Sequence, residues 1–164
     1  MPETFYHITE NVWNRVSPDL RREIVRFWTA KNALPVQKEA EERAEQAVFI
    51  VRNLALQIVG VCTAKKMFSA RLNNFVYFYR TMIDSNYRKV GLARDLLIKT
   101  RDFLETRFTE GIEREAIGIL LALENEDLNL TLRKAICPGT GFVFIGFNRN
   151  GHQVRLYYFK DARI

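Results

Sequence analysis

Tyr87-Arg88-Lys89-Val90-Gly91-Leu92-Ala93 decides the reading of this chain. Before it runs Phe75 to Ile83, dense in Phe, Tyr, Val and Ile, which predicts a strand. After it, Leu92, Leu96, Leu97, Phe103, Leu104 and Phe108 recur at helical spacing. Arg94, Lys99, Arg101, Asp102 and Glu105 fill the other side, so an amphipathic helix from Leu92 to Glu110 follows. A strand that feeds a helix through basic and small residues is a natural anion site. The first N–H groups of the helix have no internal partner, and the helix dipole adds positive charge there. The plain alternative is a strand–helix turn with small residues for packing.

Outward from this stretch the pattern extends in both directions. Phe5 to Ile8 predicts a short strand. Ser17-Pro18-Asp19 is a helix start, with Ser17 able to cap, and the pattern runs on through Leu20, Ile24, Phe27 and Trp28. Pro35 to about Glu45 predicts a second helix, polar nearly all round and so expected at the surface. Ala47–Val51 and Leu56–Thr63 predict strands joined by a tight turn near Asn53. Gly111 is placed to end the long helix, and Ala116–Leu123 predicts a buried strand. A short helix is expected over Leu128–Ile136, stopped by Pro138. Phe142–Phe147 and Val154–Phe159 flank Asn150-Gly151, a hairpin signal. The expected fold is an α/β domain spanning residues 1–164. Its mixed, mostly antiparallel sheet carries helices on both faces.

Composition narrows the function classes. With 48% hydrophobic and 12% aromatic residues over 164 positions the chain is globular. No apolar run approaches the ~20 residues that span a membrane, and no secretory signal opens the sequence. Cys62 and Cys137 cannot build a disulfide framework and fit a reducing, cytoplasmic setting. His7 and His152 have no partner at ligand spacing, so no metal is expected. The net charge of +6 is spread among acidic residues, which favours one local phosphate site over a nucleic-acid surface.

The order of elements and the loop together resemble the GCN5-related N-acetyltransferase (GNAT) family. That family's phosphate loop reads Arg/Gln-x-x-Gly-x-Gly/Ala after a strand, and Arg88 to Ala93 matches it. The similarity covers roughly Ala47 to Lys160 and includes Gly141-Phe142 and the hairpin after it. The resemblance implies acetyl-coenzyme A as acyl donor. Gly91 and Ala93 would let the pyrophosphate reach the backbone, with the amides from Lys89 through Val90, Gly91, Leu92 and Ala93 to Arg94 pointing at it. Arg88, Lys89 and Arg94 would supply charge. The backbone of Met82, Ile83 and Asp84 would hold the pantetheine arm and thioester, with Asn129 either on the pantetheine or serving as a cap.

In such enzymes an amine attacks the thioester directly, a base removes its proton, and an acid protonates the leaving thiolate. Many members carry a Tyr four residues before the Gly-Phe pair; here that position is Cys137. Cys137 either donates the proton itself or is an apolar thiol at a helix end, in which case the usual acid is absent or another Tyr serves. Glu124, at the end of the central strand, is the base or amine-recognition carboxylate, or else part of a helix start. Tyr77 and Tyr79 share one strand face and either line a pocket or pack in the core. The expected activity is acetyl transfer to a small-molecule or peptide amine, and family precedent includes a homodimer through the C-terminal strands. The alternatives are a non-catalytic coenzyme A or acyl-coenzyme A binder, and a transferase taking longer acyl chains from a carrier protein.

Overall fold

The computed structural model describes residues 6–34 and 36–164; the side chains of Lys89 and Val90 also lie outside the description. The elements are β1 (His7–Asn11), α1 (Pro18–Ala30), α2 (Gln37–Ala44), β2 (Ala47–Asn53), β3 (Ile58–Ser69) and β4 (Asn74–Ile83). A 3-10 helix (Ser85–Val90) leads into α3 (Leu92–Thr109), then β5 (Ala116–Ala122), α4 (Glu126–Thr131), β6 (Val143–Phe147) and β7 (Gln153–Tyr158). The mixed sheet runs in the order β1-β2-β3-β4-β5-β7-β6. The chain forms two compact units, one ending at Ala64 and resuming over Arg80–Thr100, the other Lys65–Tyr79 with Arg101–Ile164.

In the first unit, β1 pairs antiparallel with β2, and β2 with β3. The first strand starts later than expected and runs on to Asn11; Phe5 lies outside the described residues. Ser17 caps α1 by accepting from the Leu20 amide at 3.2 Å, and Pro18 occupies the first turn. Ile24, Val25, Phe27 and Trp28 then bury one face of α1 against Val12, Ile50, Ile58 and Val61. The helix expected from Pro35 begins at Gln37, Pro35 being outside the described residues. It is not polar all round: Ala40 and Ala44 are fully buried in the same core. Two alanines four residues apart make a narrow apolar stripe, which a pattern dominated by Glu and Lys conceals.

In the second unit, β4 and β5 are parallel, with Phe75 opposite Ala116 and Phe78 opposite Leu120. That is the arrangement a strand–helix–strand order calls for. β5 pairs antiparallel with β7, and β7 with β6. β5 and β7 approach closely at Gly118: a Cβ there would fall 2.2 Å from the Tyr157 carbonyl oxygen. Val76, Ile117 and Leu156 form one core, while Phe159 packs between Tyr77 and Phe108 at ring distances of 6.4 and 5.4 Å.

Two further elements differ from expectation. β3 runs to Ser69 rather than stopping at Thr63, so its last residues, Lys65 to Phe68, are exposed. α4 starts at Glu126 under an Asn125 cap and ends at Thr131, well before Ile136. Pro138 does not end it. Beyond it the carbonyls of Leu132, Lys134 and Ala135 accept from the Arg155 side chain, and Ile136 bridges to Val143. Tertiary donors replace the helical ones, and the chain straightens.

Candidate functional site

The first unit holds the strand end, the 3-10 helix and the start of α3 as one continuous piece. Asp84 organises it. Its amide donates to Val59 O at 2.8 Å, and its carboxylate accepts from the Asn86 amide at 2.9 Å, which starts the 3-10 helix. The same carboxylate pairs with Lys31 at 2.5 Å. The Lys31 hydrogen bond, then the Asn86 amide, holds the Asp84 carboxyl below the usual range, with the Lys31 and Arg88 charges adding to this. Arg88 turns back, its Nε donating to Ile83 O at 3.0 Å. Met82 is half-buried and packs on the core of this unit.

Gly91 then takes φ +73°, the left-handed region, and turns the chain into α3. The first helical bond runs from the Asp95 amide to Gly91 O at 3.1 Å. The amides of Leu92, Ala93 and Arg94 therefore belong to the helix's first turn, where no intrahelical carbonyl is available. Leu92 is buried and pins the turn, while Gly91, Ala93 and Arg94 are exposed. Apart from its two chain neighbours, no described residue places an atom within 4 Å of where a Gly91 Cβ would be. The glycine serves the φ angle, and three helix-start amides without intrahelical carbonyls follow it, which suits an anion.

The second unit holds the other expected residues. Glu124 follows β5, exposed, its amide on Ala122 O at 3.1 Å. Asn129 is engaged at both ends of its amide: Oδ1 accepts from the Gln153 amide at 2.7 Å and Nδ2 donates to Gly151 O at 3.2 Å. It locks α4 to the start of β7. Cys137 is a half-buried free thiol in a closed turn. Its amide donates to Phe142 O at 2.8 Å, and its carbonyl accepts from the Gly141 amide at 3.0 Å.

Sequence reasoning missed what holds that turn. Arg155 is 2% exposed, with its guanidinium on Gln153 Oε1 (2.7 Å), Lys134 O (3.0 Å) and Leu132 O (3.3 Å). Burial pulls its pKa below the ordinary arginine value. Arg101 donates to Thr140 O at 2.7 Å and lies over the Tyr157 ring. The Tyr157 hydroxyl bonds both oxygens of Glu105, at 3.0 and 3.1 Å, and burial followed by that carboxylate raises its pKa. The one sequence signal was an arginine between Val154 and Leu156 in an otherwise apolar strand. Tyr77 and Tyr79 are core residues, each 5% exposed, with Tyr77 donating to Glu113 at 3.2 Å.

No family model and no curated protein matches the sequence. Solved structures do match the fold. A ribosomal-protein-S5-alanine acetyltransferase from Vibrio fischeri superposes with TM-score 0.62 at 15% identity, covering 99% of this chain and 98% of that one. Arabidopsis thaliana NAA60, in complex with acetyl-CoA, gives 0.62 at 12% identity over 93% and 99%. A GNAT-family acetyltransferase from Streptococcus pneumoniae gives 0.59 at 15% identity over 92% and 96%. The chain has the fold of these acetyltransferases, as its order of elements implied. No described helix is long and apolar enough to cross a membrane.

Proposed function

We propose that this chain, folded as the GNAT acetyltransferases are, moves an acetyl group from acetyl-coenzyme A to a primary amine by direct attack. The observation that carries the reading is the turn at Gly91. Its positive φ and open surroundings present the first amides of α3 beside an exposed Arg94, as a pyrophosphate requires. Gly91, Leu92, Ala93 and Arg94 would supply that cradle. Arg88 and Lys89 would add charge, and the backbone from Met82 to Asp84 the pantetheine contacts.

The amine nitrogen attacks the thioester carbonyl carbon, the carbon–sulfur bond breaks, and the sulfur leaves with its electron pair. The nitrogen must lose a proton and the sulfur gain one. Glu124 is the group proposed for the first transfer and Cys137 for the second. The acceptor is a small-molecule or peptide amine, and two cysteines outside any disulfide fit a reducing cytoplasm.

A second reading has a specific basis. Cys137 stands where the resemblance expects Tyr, and the Asn129 amide is spent on the β6–β7 hairpin. Both favour a chain that holds coenzyme A without turnover. Calorimetry with coenzyme A and acetyl-coenzyme A tests the shared premise, and thiol release with an amine panel separates enzyme from binder. Gly91→Val is expected to abolish binding in a protein that still folds; unchanged affinity in that variant removes the Gly91 turn from the reading.

A further inference from the structure

Independently of acyl transfer, we propose that Arg71 closes the outer edge of β6 against a second copy of this chain. β6 stands last in the strand order, so among the described residues only one of its sides has a strand neighbour. An apolar edge strand is a template for another strand. β6 reads Val143-Phe144-Ile145-Gly146-Phe147, and Val143, Phe144 and Phe147 are exposed at 39%, 36% and 54%. By composition this strand should pair with itself.

Its outward polar groups are instead taken one after another. Phe142 O accepts from the Cys137 amide, and the Phe144 amide donates to Ala135 O, each at 2.8 Å, forming the bridge between Ile136 and Val143. The register then shifts between Phe144 and Gly146, which turns the next carbonyls outward. Arg71, from the turn after β3, meets them: Nη1 donates to Ile145 O at 3.1 Å and Nη2 to Phe147 O at 3.3 Å. The planar fork of an arginine fits two neighbouring carbonyls, which a lysine cannot do. Gly146 permits the approach. It sits at φ +125°, and a Cβ there would come within 3.3 Å of Arg71 Nη1.

The charge acts as well as the bonds. In a two-fold pairing of β6 with β6, the same patch meets itself, so each Arg71 would face the other across the new ladder. Opening the edge exposes two bare carbonyls and removes that repulsion at once. A homodimer through the C-terminal strands would require this edge to open first.

The test compares the full-length wild type with R71A, R71K and R71A/F147K. Sedimentation velocity over a micromolar concentration series measures association, and hydrogen exchange locates it. R71A is expected to associate about tenfold or more tightly than wild type, with the amides of 143–147 becoming protected in the associated form. R71A/F147K, which puts a lysine back on the edge, is expected to return to the wild-type value. R71K keeps the charge and loses the fork, so a smaller rise is expected; it serves if R71A does not fold. Any of four results overturns the proposal. They are R71A or R71K sedimenting as wild type does, association that leaves 143–147 unprotected, a double variant as associated as R71A, or a wild type already paired through that segment.

Discussion

Replacing Arg155 by Met puts the account of the Cys137 segment to its hardest test. The guanidinium is buried and serves Gln153 Oε1 at 2.7 Å, Lys134 O at 3.0 Å and Leu132 O at 3.3 Å; the 3.5 Å contact to Ala135 O adds little. Hydrogen bonds to a charged group are worth about 1.5–3 kcal/mol each in mutational series, so three acceptors lose on the order of 5–9 kcal/mol. Against this, several kcal/mol of desolvation cost vanish with the charge, and the thioether fills much of the space. The acceptors outlast the substitution and cannot all reach water, so the balance falls at about 2–4 kcal/mol of destabilisation. Urea melts followed by far-UV circular dichroism measure it as a lower midpoint at an unchanged slope. Hydrogen exchange supplies the local readout: the Cys137 and Phe144 amides, which bond within the segment Arg155 holds, should exchange faster. A variant as stable as wild type, or more so, would mean that desolvation outweighs the lost bonds, and the reasoning would fall.

Two further outcomes follow from local geometry. Gly118→Ala places a Cβ 2.2 Å from the Tyr157 carbonyl, so β5 and β7 must part; a loss of about 3 kcal/mol or more is expected, and a melt like wild type refutes the close approach. The folded-state pKa of Asp84 lies below its unfolded value, so its contribution is full above about pH 4 and is lost as the pH falls through the lowered value. Lys31→Ala removes the leading cause. Its stability should approach that of wild type as the pH falls from about 4 through that lowered value, and a difference that stays constant with pH refutes the pairing.

What the sequence disclosed and what it withheld divide along one physical line. The glycine turn at Gly91, the Ser17 cap and the apolar stripe of α3 rest on residues within a few positions of each other, so local pattern reveals them. The end of α4 depends on Arg155, more than twenty positions later, and the edge of β6 on Arg71, far earlier in the chain. Neither is visible in a window of neighbouring residues. The buried face of α2 escaped because two alanines among charged residues carry little hydrophobic signal. The same division runs through the candidate site. The strand end and helix start were legible as a unit, whereas the double engagement of Asn129 depends on a hairpin twenty-odd residues downstream.

β3, β4 and α3 each pass from one compact unit into the other. On the ribosome this imposes a waiting time. The first unit cannot close until Thr100 has emerged, and Lys65–Tyr79 must then wait for Arg101–Ile164. During that interval Met67 and Phe68, exposed even in the finished protein, lie on a strand whose own unit does not yet exist. Neither unit is a single stretch of chain, so neither can be cut out by choosing two ends. Nascent chains released after Thr100 should be the forms that most engage chaperones.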